Sequence, residues 1–347
     1  MSKKKGSKLN KVRPWRLVAL GVVTALGLVA AVATTSGLGL LDQRPVAAGQ
    51  EPVIVAVGDL ACEPNNPFYN DGQGTNVACQ AQATSDLALR LDPQAVLVLG
   101  DEQYRSGTLG EFEASYDKSW GRLKAITHPV PGNHEYENLG AAGYFGYFGA
   151  LAGVPELGYY SFDIGDWHVV ALNANCREVG GCEETSAEEQ WLRRDLAAHK
   201  NVCTMAIWHQ PRFSSGLAGS DAAYQPFWQD LQDFHADVVL SGHDHDYERF
   251  APQTADGRLD PNGPTQFVVG TGGESLTPWI TLRPNSLVRD NEDYGVLKMT
   301  LSASSYSWQY ITIKGAVKDA GSAKCVTQAA QTVAPHPFTT PQPTPTQ

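Results

Sequence analysis

The sequence predicts an α/β fold, a layered β-sandwich flanked by helices, and three patterns carry that reading. Six short apolar runs rich in β-branched residues end in Gly or a polar residue, as strands covered on both faces do. They are PVIVAVGD (52–59), AVLVLGD (95–101), WHVVALN (167–173), CTMAIWH (203–209), ADVVLSGH (236–243) and TQFVVGTGG (265–273). Helical patterns precede three of them: CQAQATSDLALRLD before the second, SAEEQWLRRDLAAH before the fourth and DAAYQPFWQDLQDFH before the fifth. Ser186, with Glu189 three residues on, has the form of a capping box. The late stretch GVLKMTLSASSYSWQYITIK alternates, which predicts an antiparallel hairpin or meander.

The first 16 residues hold seven basic side chains and no acidic one, and Leu17–Leu41 follows with no charge. A basic flank before an apolar run is an export signal. At 25 residues the run is also long enough to span a bilayer. Cleaved signal and retained anchor are both open, so a membrane partner is expected only through 17–41 if the run is uncleaved. Residues 1–48 are read as this leader, 49–316 as one globular domain, and 317–347 as a C-terminal segment ending in a Pro/Thr-rich tail. Without the seven leader cations, 19 basic residues face 37 acidic ones, a balance of −18. That sign argues against nucleic acid or anionic lipid as a partner.

Six cysteines in an exported chain predict disulfides. They allow 15 pairings, among which sequence does not choose. Proximity favours Cys176–Cys182, then Cys62–Cys79, leaving Cys203 with Cys325.

In open α/β folds, ligands sit beyond the carboxyl ends of the strands. Here those ends carry Asp59 in GDL, Asp101 and Tyr104 in GDEQY, Asn133 and His134 in GNHE, His209 in WHQ, and His243 and His245 in GHDH. Each has an ordinary reading when taken alone. Asp59 and Asp101 suit turns or caps, Tyr104 packing, Asn133 a turn with φ > 0, and His209 a satisfied core position. His128, His168, His199 and His235 belong to no motif. GTGG at 270–273 lacks the Lys of a phosphate loop and reads as a turn that lets backbones approach closely.

Taken in order, these motifs resemble the calcineurin-like metallophosphoesterases, in particular the purple acid phosphatase branch, over about Val53 to Arg249. That likeness implies a four-layer αββα fold and a metallophosphoesterase domain at 49–316. Position 61 is Ala where most of the superfamily has a histidine, and Tyr104 stands where the purple branch uses a phenolate instead. The resemblance implies two metal ions. One would take Asp59, Asp101, Tyr104 and His245; the other Asp101, Asn133, His209 and His243, with Asp101 bridging. Alternating His243 and His245 would thus serve different ions, and Asp244 would point elsewhere. A phenolate, with an unperturbed pKa near 10, suits a strongly Lewis-acidic ion. Fe(III) is therefore expected beside Tyr104, with Zn, Mn or Fe(II) at the other position.

His134 matches the family histidine that contacts phosphate and protonates the leaving oxygen, with Glu135 either orienting it or serving a helix or turn. The further histidine pair of plant members is missing: HQPRFSSGLAGSD offers only Arg212 and Asp221. Ser214 and Ser215 have no accompanying base and receive no catalytic role. The implied function is an exported phosphatase acting on small phosphate monoesters through a metal-activated hydroxide. A phosphodiesterase with the same metals, acting on nucleotides or lipid head groups, is the alternative. A metal- or phosphate-binding surface module without turnover would instead show a broken ligand set.

Overall fold

The computed structural model describes residues 51–199, 201 and 203–326. The leader expected over 1–48 and the Pro/Thr-rich tail lie outside the described residues. Within them, no helix is long and apolar enough to cross a membrane.

In chain order the strands are β1 (Val53–Val57), β2 (Ala95–Val98), β3 (Thr127–Pro129), β4 (Tyr160–Ile164), β5 (Trp167–Ala171), β6 (Cys203–Ile207), β7 (Val238–Ser241), β8 (Tyr247–Phe250), β9 (Thr265–Val269), β10 (Ser286–Asp290), β11 (Gly295–Ser302), β12 (Ser305–Thr312) and β13 (Val317–Lys324). The α-helices are α1 (Ala81–Arg90), α2 (Leu109–Ala114), α3 (Ala142–Phe148), α4 (Cys176–Val179), α5 (Ala187–Ala198) and α6 (Gln225–Asp233).

Two sheets form. The first has the order β13-β12-β11-β1-β2-β3, the second β10-β8-β9-β7-β6-β5-β4. In the first, β1, β2 and β3 are parallel, and β11, β12 and β13 add an antiparallel meander. In the second, β5, β6, β7 and β9 are parallel between antiparallel outer strands.

The apolar runs of the second sheet are continuous because both faces are covered. Val169, Met205, Ile207, Val238 and Leu240 join the core shared with Val96, Leu97, Leu297 and Met299 of the first sheet. Their neighbours Val170, Ala206, Trp208 and Val239 pack instead with Leu192 and Leu196 of α5 and Phe227, Trp228 and Leu231 of α6. Side chains alternate across a strand, so period-2 burial on two apolar faces yields an unbroken apolar run.

Two details differ from expectation. The first sheet continues past the expected boundary at 316, because VKDAGSAK pairs along β12 as β13. An edge strand of small and charged residues gives no apolar signal. The Ser186 cap forms only in half: its Oγ accepts the Glu189 N–H, but Glu189 accepts from Thr185 instead. The Ser186 N–H is already donated to Glu183 O.

Both proximity pairings form, Cys62–Cys79 and Cys176–Cys182, and so does the remaining pair, Cys203–Cys325. The last closes a separation of 122 residues and ties the segment after β13 to the start of β6. Replacing both Cys203 and Cys325 by serine is expected to lower unfolding free energy by about 2–5 kcal/mol, measured by urea denaturation under non-reducing conditions.

His168 on β5 is buried, with Nδ1 2.9 Å from Asp163 Oδ1 and Nε2 2.7 Å from Asp195 Oδ2. A ring facing two carboxylates donates from both nitrogens only as the imidazolium. Burial lowers its pKa, but the bonds to Asp195 and Asp163 outweigh this and raise it above 6.5. The contribution is therefore fully present below the unfolded value near 6.5 and is lost as pH rises through the raised folded value. The stability gap between wild type and His168→Gln should narrow from pH 6 to pH 9 in chemical denaturation.

Candidate metal centre

The parallel strands of both sheets end on one edge, and five of them deliver polar site residues there. Asp59 follows β1, Asp101 and Tyr104 follow β2, and Asn133 and His134 follow β3. His209 follows β6, and His243 and His245 follow β7. The first sheet thus supplies mainly oxygen donors and the second supplies imidazoles.

All seven residues expected to ligate metal are brought together. Tyr104 Oη lies 3.0 Å from Asp59 Oδ1, 3.1 Å from Asp101 Oδ2 and 3.1 Å from His245 Nε2. On the other side, His209 Nε2 lies 3.1 Å from the same Asp101 Oδ2, 3.2 Å from Asn133 Oδ1 and 3.2 Å from His243 Nδ1. Asp101 Oδ2 is therefore common to two clusters.

The environment turns lone pairs inward. His209 Nδ1 lies 2.8 Å from Leu99 O, so it carries the proton and Nε2 faces the cluster as an acceptor. His245 Nδ1 meets Ser275 Oγ at 2.9 Å, and Ser275 donates to Glu274. Nδ1 is thus the donor and Nε2 again faces inward. Each carboxylate gives its other oxygen to backbone: Asp101 Oδ1 accepts the His134 N–H at 2.9 Å, and Asp59 Oδ2 accepts that of His243 at 2.8 Å.

More acceptors converge than protons are available to separate them, which is the electrostatic signature of a cation site. Without a cation, protons must do the work. His209 is lowered by burial but carried by Asp101 up to about 9. Burial, then the Asp101 and Asp59 charges, hold the Tyr104 phenol well above 10. The donor set of carboxylates, imidazoles, an amide and a phenol fits hard-to-borderline ions.

The backbone is specialised to allow this convergence. Asp59, Asp101 and His243 have φ of 63°, 48° and 71°, a left-handed region costly for non-Gly residues. Asn133 is not among the positive-φ residues, so its turn reading does not hold. A Cβ on Gly132 would sit 2.1 Å from Asp101 Oδ1, so the Gly of GNHE makes room for the shared carboxylate. Gly270 likewise lies against Asp244 O, where a Cβ would come to 2.1 Å. GTGG is thus the close-approach turn expected.

Three functions were not legible in the motifs. Glu135, fully buried, does not orient His134; it accepts the backbone N–H groups of Asp101 (3.0 Å), Gln103 (3.2 Å) and Gly132 (2.8 Å). Burial and the neighbouring Asp101 charge push Glu135 up to about 7. Asp244 does point away from the cluster, accepting from Ser214 Oγ and from the N–H groups of Ala218 (2.7 Å) and Gly219 (3.1 Å). In GHDH the histidines face the centre while Asp244 grips the loop after His209. Ser215 donates to Glu248, so both serines of that loop are structural.

His134 stands at the rim, its Nε2 3.9 Å from Asp101 Oδ2 and its Nδ1 2.6 Å from Arg105 O. Arg212 turns away to donate to Ala255 O. Asp221 instead lines a cavity of about 620 Å³ that reaches Asn133.

The family profile described as Calcineurin-like phosphoesterase matches residues 52–247. Purple acid phosphatase 15 of Arabidopsis thaliana is 29% identical over 218 residues, 52% of this chain and 40% of that protein. Purple acid phosphatase 23 of the same plant is 30% identical over 228 residues, 55% of this chain and 49% of that protein. The chain thus spans about half the length of these curated relatives. A purple acid phosphatase from yellow lupin (Lupinus luteus) seeds superimposes with a TM-score of 0.63 at 20% identity, over 79% of this chain and 53% of that one. This last likeness is one of fold. With the profile spanning more than half of its residues, including both sheets' ligand-bearing strand ends, the chain belongs to the calcineurin-like phosphoesterase family.

Proposed function

We propose that this protein is a metal-dependent phosphoric ester hydrolase that cleaves small phosphate monoesters at a two-ion centre. The observation that carries the reading is Asp101 Oδ2, placed 3.1 Å from both Tyr104 Oη and His209 Nε2, between two sets of inward-facing lone pairs. In this reading Asp59, Asp101, Tyr104 and His245 hold one ion, and Asp101, Asn133, His209 and His243 hold the other. Fe(III) belongs beside Tyr104, because a phenolate ligand suits a strongly Lewis-acidic ion; Zn, Mn or Fe(II) suits the second position.

Bound there, the ions would supply charge for the phosphoryl oxygens and lower the pKa of water. The chain's own residues set the geometry. Leu99 O and Ser275 fix the tautomers of His209 and His245, as outer partners of metal-ligating histidines commonly do. His134 donates Nδ1–H to Arg105 O, which turns Nε2 toward the centre, where the leaving oxygen would lie. The three disulfides and the basic-plus-apolar leader support an extracytoplasmic location.

Elemental analysis of the full chain under metal-replete conditions tests the reading. Two ions per chain with at least one iron, and hydrolysis of p-nitrophenyl phosphate, are expected. Tyr104→Phe should abolish visible phenolate-to-iron absorption. Two ions without iron would overturn the Tyr104–iron assignment; fewer than one ion would overturn the two-ion centre.

A further inference from the structure

The cavity of about 620 Å³ beside Asn133 is open enough to take an organic group of moderate size. Its far walls are fixed rather than loose. Asn175 Nδ2 donates to Pro131 O (3.1 Å) and Gly132 O (3.3 Å), joining the segment after β5 to the GNHE loop. Asn173 Nδ2 donates to Tyr136 Oη at 2.7 Å, and Tyr224 Oη donates to Ala174 O at 3.0 Å. The Cys176–Cys182 disulfide closes the loop that bears Arg177 and Glu178.

Two aromatic side chains, Tyr136 and Tyr224, line this space, and its charged groups are Glu137, Glu178 and Asp221 against the single cation Arg177. The wall therefore carries a balance of −2. Behind it, fully buried Glu188 accepts the Asn173 N–H through Oε1 at 2.6 Å, while its Oε2 has no hydrogen-bond partner. Burial raises the pKa of both phenols, and the nearby acids add to it: Glu178 and Glu188 at Tyr136, Asp221 and Glu188 at Tyr224. The cavity thus combines aromatic faces with acidic rims.

We infer that this cavity receives the alcohol portion of the substrate and selects phosphomonoesters whose alcohol carries a positive charge, such as an amino alcohol. The inference rests on the phosphatase reading, which seats the phosphoryl group at the ions next to Asn133. A cationic head group there meets tyrosine faces, to which ammonium groups are attracted, and carboxylates, which it partly neutralises. A second phosphate in the same space meets net negative charge and no basic cluster. Polyphosphorylated esters are therefore disfavoured, although the metal centre itself attracts any phosphate.

The test compares kcat/KM of the metal-loaded full chain for phosphocholine, glycerol phosphate and inositol hexakisphosphate, at low and high salt. Phosphocholine should exceed glycerol phosphate by about tenfold, an electrostatic preference that shrinks as salt screens it. Inositol hexakisphosphate should be the poorest of the three. The double variant Glu178→Lys, Asp221→Lys should reverse the first ratio while keeping wild-type metal content and near-UV circular dichroism. Equal kcat/KM for all three esters, or a ratio unmoved in the correctly folded double variant, would overturn the selectivity. Failure to hydrolyse any of them with two ions bound would overturn the phosphatase reading itself.

Discussion

Asp101→Asn is expected to strip the centre of both ions at once, taking metal content from two per chain to below one and kcat down by at least about 10³-fold. Of the seven inward-facing residues, Asp101 has an oxygen, Oδ2, that stands 3.1 Å from members of both clusters. Asparagine preserves the shape and can still accept the His134 N–H through Oδ1, the bond now 2.9 Å long. It replaces the shared acceptor, however, with an amide whose protons point at both ion positions. The fold should survive, because the left-handed backbone at Asp101 is one that asparagine tolerates. Elemental analysis with near-UV circular dichroism separates the outcomes. A well-folded variant that keeps two ions would refute the bridging role.

Glu135→Gln is the second large effect, and it acts through the backbone. The carboxylate collects the N–H groups of Asp101, Gln103 and Gly132, which belong to two ligand-bearing loops. A glutamine has one acceptor oxygen and brings an NH₂ donor against N–H donors. Hydrogen bonds to charged groups contribute about 1.5–3 kcal/mol each, and a buried donor left unpaired adds a penalty. At pH 8 and above, where the Glu135 carboxyl is ionised, a net loss of about 2–4 kcal/mol in urea unfolding of the metal-free protein is expected. Metal affinity should fall as well, since the Asp101 loop and the Gly132 turn lose their common anchor. Unchanged stability together with lost turnover would place Glu135 at the chemistry instead of behind it.

The sequence alone determined the α/β class, the six apolar strands it marked, the antiparallel hairpin at 295–312 and the residues gathered at the strand ends. The physical reason is that a strand buried on both faces must be apolar throughout, as Val169 to Leu172 and Met205 to Trp208 are. Polar residues such as Asp59, Asp101 and His209 then stand out sharply where each run stops. Short or polar strands such as β3, β4 and β13 were hidden, because a three-residue strand or an edge strand such as VKDAGSAK has no such contrast.

Tertiary structure alone decided what the other polar residues do. Glu135 looked like a partner for its neighbour His134, yet its acceptor bonds reach Asp101, 34 positions earlier in the chain. Asp244 alternates with two inward-facing histidines but grips a loop 25 to 30 residues away. The cavity beside Asn133 takes its walls from segments near 136, 175 and 223, with no common motif. A buried carboxylate bonds to whichever donors packing leaves unpaired, and those donors are backbone N–H groups present at every non-proline residue. Residue type therefore advertises a ligand at a strand end, whereas the partner of a buried acid depends on which loops the two sheets bring together.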